Sequence, residues 1–392
     1  MLLLPDLRLS RFDSHRWVLN TPTGHNLLVN TATARLFELL QTTATLELAR
    51  AGFNQEFGLA LLPAEFEALV YSRFGGYGLL TQDQEEARST PPSAIKLQVE
   101  LLSARAAGLC AAPLRALYAP RVFWAAFAGL LLFLLAVYLH FPRLAAPSRA
   151  DFGVAIPLIY ASIFVHEFGH IAACRRFGVR HGGIGFGFYL FVFPVLYADV
   201  TNIWQASRQR RIITNLGGIF SQLLYASLLA VGYLVVAYPP LLVAALACAA
   251  LALWQFNPFI RRDGYWLLSD LTNTPNLLAK AAHTTREGLS WQGLRRLVRS
   301  RGRVLLSRRI FLFAYGVANA SLFAVFAAYT VLRYGPQLLD FPRLVFQLLR
   351  NLAAGSPALA EVSQVPLIVC TFYLMLIRYL LVLSRWRPAQ AT

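Results

Sequence analysis

The chain has 392 residues, of which 57% are hydrophobic and only 14% are charged, whereas soluble proteins average about 25% charged residues. Its net charge of +17 does not indicate nucleic-acid binding, because the basic residues lie in short segments beside apolar stretches, as expected for loops that face an anionic membrane surface. Several of these stretches reach the roughly 20 apolar residues that a helix needs to cross a bilayer. The composition therefore excludes an ordinary soluble protein and predicts a mainly α, multi-pass membrane protein with no nucleic-acid partner.

Residues 1–88 are mixed in character and predict a small α+β domain outside the membrane. The segment "RWVLNTPTGHNLLVN" predicts two strands joined by a turn at 21–24. Three helical patterns follow in "NTATARLFELL", "TLELARAGF" and "PAEFEALVYSRF", the first of which begins with residues typical of a helix cap. A strand hairpin with three helices is compatible with a winged-helix-like module. Residues 89–120 are predicted to be a linker and an amphipathic lead-in.

The apolar segments that follow predict about six transmembrane helices. They lie near 122–141, 152–174, 212–238, 241–260, 310–332 and 364–384. Arginine and lysine concentrate in the loops 175–211 and 261–309, so the positive-inside rule places the protein in the cytoplasmic (inner) membrane with both termini in the cytoplasm. These segments define a transmembrane core at 121–272, a basic cytoplasmic loop at 273–309 and two C-terminal transmembrane helices within 310–392.

The second apolar segment contains "HEFGH", residues 166–170. On a helix, residues four apart share one face, so His166 and His170 can both reach a single ion. Two neutral imidazoles suit Zn²⁺, and Glu167 would be the general base for a water molecule at that ion. The alternative is a pair of core histidines that bond to neighbouring helices. Ionisable residues inside an apolar helix are costly and usually functional, which favours the zinc site.

A catalytic zinc ion needs a third protein ligand at the same membrane depth. His166 and His170 lie near the cytoplasmic end of the second span, and the fourth span descends to that face. Asp263 follows directly and is the best candidate, while Asp270, seven residues on, is its competitor. Asp151 lies near the opposite face of the membrane and is too far away.

The segment "HGGIGFGFYLFVFP" predicts a membrane-associated β element between the spans. Glycine and phenylalanine alternate at 185–188 with the period of a strand, and Pro194 is placed to end that strand at a sheet edge. Irregular backbone at membrane depth is tolerated where protein or water surrounds it. An exposed edge could pair with an unwound substrate segment, and the alternative is a hairpin that holds the helices apart.

These motifs resemble the site-2 protease family of intramembrane zinc metalloproteases, which pairs HExxH with a later Asn-Pro-x4-Asp-Gly element. Both are present, the second at 257–264. The resemblance implies His166, His170 and Asp263 as zinc ligands, Glu167 as the catalytic base, and Asn257 as a group that orients substrate or stabilises the oxyanion. The segments "FPVLYADVTNIWQASRQRR" and "NPFIRRDGYWLLSDLTNTPNL" resemble those of a bacterial subgroup, the peptide zinc metalloproteases, over roughly residues 150–280.

The N-terminal segment "HNLLVNTATARLFELL" is similar to the strand-into-helix core of winged-helix modules that bind leader peptides. That resemblance implies a cytoplasmic module that captures a precursor by strand addition, and the alternative is an autonomous domain without a peptide partner. The expected partners are a peptide or membrane-protein substrate and the lipid bilayer, with a peptide exporter or peptide-modifying enzymes as further candidates.

Two functions follow from these observations. The first is a zinc metalloendopeptidase that cleaves a membrane-associated or small peptide precursor. The second is a scaffold that keeps the protease-like fold and binds or exports a peptide without cutting it. The intact set of His166, Glu167, His170 and Asp263 favours the enzyme, because a scaffold has no need of the glutamate.

Overall fold

The computed structural model describes residues 7–20, 26–75, 79–80, 95–140, 148–189, 193–289, 295, 303–353 and 367–384. The chain divides into two compact units, Met1–Pro275 and Asn276–Thr392. The first unit contains the N-terminal region and every predicted site residue. The second contains the basic segment and the C-terminal helices.

The N-terminal region forms a three-stranded sheet followed by three helices. The elements are β1 (Arg8–Arg11), β2 (Arg16–Asn20), β3 (Asn26–Asn30), α1 (Thr31–Thr42), α2 (Leu46–Phe57) and α3 (Pro63–Phe74). The sheet is antiparallel in the order β1-β2-β3. The predicted pair of strands and three helices are present, and β1 is an additional strand. The predicted turn at 21–24 lies outside the described residues.

Local capping and apolar spacing explain this region. The side chain of Asn30 accepts a hydrogen bond from the Thr33 amide at 2.8 Å, which fixes the start of α1. The buried core of the region comprises mainly Leu19, Leu36, Phe37, Ala49, Phe53, Phe66, Val70 and Phe74. Sheet and helices therefore share one apolar core.

The rest of the first unit is mostly helical. Its helices are α4 (Ala104–Ala111), α5 (Pro120–His140), α6 (Arg149–Arg176), α7 (Arg208–Asn215), α8 (Gly217–Val236), α9 (Pro239–Trp254) and α10 (Asp263–Leu271). Short 3-10 turns lie at Ala112–Tyr118 and Thr201–Gln205. α8 packs against both α6 and α9, and the common core of these helices is apolar.

A second antiparallel sheet contains one strand that precedes α4 and two strands that lie between α6 and α7. It comprises β4 (Ile95–Leu102), β5 (Ile184–Tyr189) and β6 (Phe193–Ala198) in the order β4-β5-β6. The predicted strand at 184–189 is present. Pro194 does not end it, because Pro194 lies within β6 opposite Phe188. Proline is compatible with β6 because, within the described residues, β6 has a ladder partner on one side only.

The region 89–120, predicted to be a linker and lead-in, contains β4 and α4. Strand β4 has the sequence "IKLQVELL", in which apolar and polar residues alternate as they do in a strand. Its pairing with β5 is irregular, with shifts of register between Lys96 and Val99 and between Glu100 and Leu102. A strand partner far along the chain therefore orders a segment that looks like a connection in the sequence.

Four helices in the described residues are long and apolar enough to cross a membrane: Pro120–His140, Arg149–Arg176, Gly217–Val236 and Ser307–Gln347. Two shorter apolar helices, Pro239–Trp254 and Ile368–Ile377, overlap the other two predicted spans. The total of six spans stays a prediction. Pro239 begins α9, so the proline pair separates two helices as predicted.

Two predicted span boundaries differ from the structure. The third span was predicted from residue 212, but 208–215 form the separate helix α7. The fourth was predicted to reach residue 260, but α9 ends at Trp254. The residue before a proline is disfavoured in helical conformation, and Asn257 precedes Pro258, so the chain leaves the helix ahead of this pair.

The second unit contains α11 (Leu277–Gly288), α12 (Arg303–Ala353) and α13 (Leu367–Ser384). The backbone of α12 is non-helical at Tyr334, two residues before Pro336, which explains the interruption. The predicted span 310–332 lies in the part before it. Tyr373 of α13 donates a hydrogen bond to the Leu338 carbonyl of α12 at 2.7 Å, which joins the two helices.

Tyr118 connects the 3-10 turn before α5 to the beginning of α8. Its fully buried hydroxyl donates to the Gly217 carbonyl at 2.9 Å and lies 2.7 Å from the Ser221 hydroxyl. Its ring meets Phe220 edge-on with centroids 5.4 Å apart. This residue therefore fixes the end of α8 that carries the paired glycines 217 and 218.

Replacing Tyr118 by Phe leaves the Gly217 carbonyl and Ser221 without this partner, and we expect a loss of about 1–3 kcal/mol in the free energy of unfolding. Reversible denaturation in mixed detergent micelles would measure it. The matched control is Tyr138→Phe on α5, whose side chain is 61% exposed, and it should unfold like the wild type. Equal stabilities of both variants would contradict the role given to the buried hydroxyl.

Candidate metal centre

Helix α6 brings the two predicted histidine ligands onto one face. His166 and His170 are buried, and their Nε2 atoms lie 3.3 Å apart. The Nδ1 atom of His170 is 2.8 Å from the Thr214 carbonyl oxygen. Because a carbonyl oxygen can only accept, this Nδ1 carries the proton in the neutral ring, and Nε2 presents a lone pair toward His166. This backbone contact is the kind of support that orients a metal-binding histidine.

Asp263, the first residue of α10, faces the two histidines. Its Oδ2 atom lies 3.0 Å from Nε2 of His166 and 3.5 Å from Nε2 of His170. The next residue explains this placement, since the Gly264 amide donates to the Gln255 carbonyl at 2.8 Å. A Cβ on Gly264 would collide with the Phe256 backbone. The Asp-Gly pair thus lets α10 begin directly against the end of α9.

The three side chains fit a cation. Among the described residues, the buried Oδ2 of Asp263 and Nδ1 of His166 have no hydrogen-bond partner of good geometry. One ligand atom from each of the three residues lies within 4.8 Å of the others. Electron pairs that face one another at this range repel unless a proton or a cation lies between them. Two imidazole nitrogens and one carboxylate oxygen form a typical ligand set for a catalytic zinc ion.

The other two aspartates considered from the sequence form hydrogen bonds away from the two histidines. Asp270 accepts hydrogen bonds from Arg211 Nε and Asn215 Nδ2, both at 2.7 Å. Asp151 forms a capping box with Ser148 at the start of α6, about 22 Å along the helix from His166 and about 28 Å from His170 at 1.5 Å of rise per residue. The geometry therefore favours Asp263 over both as the third ligand.

Glu167 is buried beside His166 and is attached to the second sheet. Its Oε2 atom accepts a hydrogen bond from the Ala198 amide, at the end of β6, at 2.7 Å. One carboxylate oxygen is thus held by backbone, which restricts the rotation of the group. The edge strand and the predicted general base are therefore in direct contact.

Asn257 lies in the turn between α9 and α10 and is partly buried. Its Oδ1 atom accepts a hydrogen bond from the Phe259 amide at 3.0 Å, an arrangement that stabilises turns before α10. This contact uses the carbonyl end of the side chain. The role in substrate orientation or oxyanion stabilisation that the sequence resemblance implies stays a prediction.

Glycines on α6 and α8 form a part of the site that the sequence analysis missed. A Cβ on Gly218 would collide with the His166 ring, and one on Gly169 would collide with the Gly217 carbonyl. Small residues let membrane helices approach closely, and here they leave room for the imidazole. The signal in the sequence was the pair "GG" at 217–218. This pair of glycines points to the site only when the structure shows that α8 crosses α6 at the histidines.

The model of the family described as Peptidase family M50 matches residues 154–377, which is more than half of the chain. The chain belongs to peptidase family M50. This membership confirms the resemblance to site-2 proteases. Together with four helices long and apolar enough to span a membrane, it identifies a multi-pass membrane protein.

One relative is the Bacillus subtilis (strain 168) protein named "Putative peptide zinc metalloprotease protein YydH". It is 31% identical to this chain over 108 residues, which is 27% of this chain and 43% of that protein. The match thus spans less than half of the relative's length. No solved structure matches the chain.

Replacing Gly218 by Ala places a methyl group against the His166 ring, and we expect the bound zinc per purified molecule to fall several-fold. Elemental analysis of the protein in detergent would measure the content. Gly129→Ala on α5 is the control, because a Cβ there meets no atom within 4 Å. Wild-type zinc content in Gly218→Ala would show that the glycine is not required for the site.

Proposed function

We propose that this chain is a membrane-embedded zinc metalloendopeptidase that hydrolyses a peptide bond in a small peptide precursor or a membrane-associated substrate. The observation that carries the proposal is the convergence of His166, His170 and Asp263 beside the buried Glu167. Membership of a peptidase family supports the reaction class. The name of the Bacillus subtilis relative supports zinc and a peptide substrate.

In this proposal, His166, His170 and Asp263 hold the zinc ion. Zinc in such a site acts as a Lewis acid that makes water a better nucleophile near neutral pH and polarises a carbonyl group. The chain supplies the orientation of the ligands. Thr214 fixes the ring of His170 through its carbonyl, Gly218 makes room for His166, and Gly264 sets the start of α10 at Asp263.

Glu167 is the proton carrier of the proposed reaction. It takes a proton from the attacking water as the new C–O bond forms, and it delivers a proton to the leaving amine as the C–N bond breaks. The Ala198 amide binds one carboxylate oxygen and leaves the other to receive the proton. The same hydrogen bond keeps the group from rotating between the two steps.

Strand β6 is the proposed binding edge for the substrate. Within the described residues its ladder partner is β5 alone, so its other side can accept an extended peptide by strand addition. The end of β6 contacts Glu167 through Ala198, and a peptide paired along this edge would be led toward the site. An extended substrate also presents its peptide bonds, which a helix would keep paired.

The termini and the active site are proposed to face the cytoplasm. Positive residues beside the spans support cytoplasmic termini and an active site near the cytoplasmic face. The N-terminal region would then meet precursor peptides before the membrane site does, and its resemblance to leader-binding modules supports a leader peptide as ligand. A peptide exporter or peptide-modifying enzymes are the proposed partners in the same process.

Replacing Glu167 by Gln removes the proton carrier but keeps an oxygen for the Ala198 amide. We expect peptide cleavage to fall by at least about 100-fold, the lower range for a lost general base, while zinc content is unchanged. Mass spectrometry of peptide termini in membrane and secreted fractions of expressing cells would measure cleavage, and elemental analysis would measure zinc.

The control for this experiment is Glu287→Gln, the same substitution at a side chain that is 65% exposed in the second unit; its peptide termini should match the wild type. A precursor that accumulates uncut only in Glu167→Gln would establish the protease and identify its substrate. Identical termini in both variants, with zinc present, would favour the scaffold that binds a peptide without cutting it.

A further inference from the structure

Arg211 of α7 is a buried cation. It belongs to the segment 175–211, which the sequence predicts to be a basic cytoplasmic loop. It is only 1% exposed. Its Nε donates to Asp270 Oδ1 at 2.7 Å, and another guanidinium nitrogen donates to the Ala206 carbonyl at 2.9 Å. A buried ion pair is costly to break because it leaves the partner charge uncompensated. α7 and α10 are therefore joined by a contact that the fold must maintain.

Phe12 of the N-terminal region covers this ion pair. It lies directly after β1 and is 5% exposed, and its ring centroid is 4.0 Å from the guanidinium carbon of Arg211. The ring also stacks on Trp204 at 5.9 Å, and Trp204 meets Trp266 of α10 edge-on at 6.2 Å. A ring over a desolvated guanidinium is attractive and excludes water from the pair.

A second contact attaches the turn between β1 and β2, which contains Phe12 and Asp13, to the chain after α10. Asn273 donates to Asp13 Oδ2 at 3.0 Å, and Arg16 donates to the Asn273 carbonyl at 3.1 Å. Burial by itself raises the pKa of Asp13, but the hydrogen bonds from Arg16, the His15 amide and Asn273 lower it well below its usual value. Asp13 is therefore ionised at neutral pH and keeps this contact.

Both helices joined by Arg211 carry parts of the candidate metal centre. α7 contains Thr214, whose carbonyl binds His170. α10 begins with Asp263 and ends one residue after Asp270. A shift of α10 relative to α7 would move the carboxylate relative to the histidines, which belong to another helix. The Arg211–Asp270 pair therefore sets the relative position of two sides of the site.

We propose that Phe12 is a positioning residue for the zinc site: by covering the Arg211–Asp270 pair, the N-terminal region holds α10, and with it Asp263, against the two histidines. The proposal rests on the proposed function, because it concerns the same metal. In this proposal the N-terminal region stabilises the zinc site, in addition to any role in capturing substrate. Any ligand that displaces the turn containing Phe12 would lower the affinity of the site for zinc. Bound zinc would then lower the affinity of the protein for that ligand by the same factor.

The test compares zinc retention in full-length protein in detergent during titration with a chelator. Phe12→Ala opens the pair to water, and we expect half of the zinc to be lost at a roughly tenfold lower chelator concentration, equivalent to about 1.4 kcal/mol. Phe12→Leu keeps an apolar cover without the ring and should fall between Phe12→Ala and wild type. Excess zinc should restore the peptide cleavage of Phe12→Ala, which a misfolded variant could not regain.

The matched control is Phe57→Ala on α2, whose side chain is 38% exposed; it should retain zinc like the wild type. Unchanged retention in Phe12→Ala, with a zinc-loaded wild type, would overturn this inference and leave the proposed function standing. Equal loss in Phe12→Ala and Phe57→Ala would also overturn it, because the effect would then be general to the N-terminal region. A wild type that binds no zinc would overturn the proposed function together with this inference.

Discussion

The close crossing of α6 and α8 is the constraint on which the candidate site depends. Gly169 and Gly217 bring the two backbones into contact, and Gly218 faces the His166 ring. Tyr118 then donates a hydrogen bond to the Gly217 carbonyl, which fixes the beginning of α8 at this crossing. With a larger residue at position 218, the His166 ring would have no room beside α8.

The carboxylate side of the site depends on a break in the helices. α9 ends at Trp254, and the Asn257–Pro258 turn leads into α10 at Asp263. A continuous helix through this segment would place Asp263 on the cylinder of α9 itself. The turn instead directs the first residue of a new helix toward His166 and His170. Breaking the helix is thus what brings a third ligand to two residues on α6.

The arginines of α7 stabilise the fold in addition to indicating which side of the membrane their segment faces. The sequence presents Arg208, Arg210 and Arg211 as one basic cluster, which reads as a loop on the cytoplasmic face. The structure separates them, because Arg211 is buried on Asp270 and Arg208 binds the Asp270 and Leu271 carbonyls, whereas Arg210 is exposed. Two of the three arginines therefore bind α10.

The sequence by itself determined the helical class, the β element and the metal-binding chemistry. These follow from local patterns: long apolar segments, the period of two at 185–188, and the spacing of His166 and His170 on one helix. It also ranked Asp263 above Asp270 from order along the chain. Only the tertiary structure decided that β4 joins the second sheet, that Gly218 faces His166, and that Phe12 covers Arg211. Each of these contacts joins residues far apart in sequence, and no local pattern records which partner a strand, a glycine or a buried charge will meet.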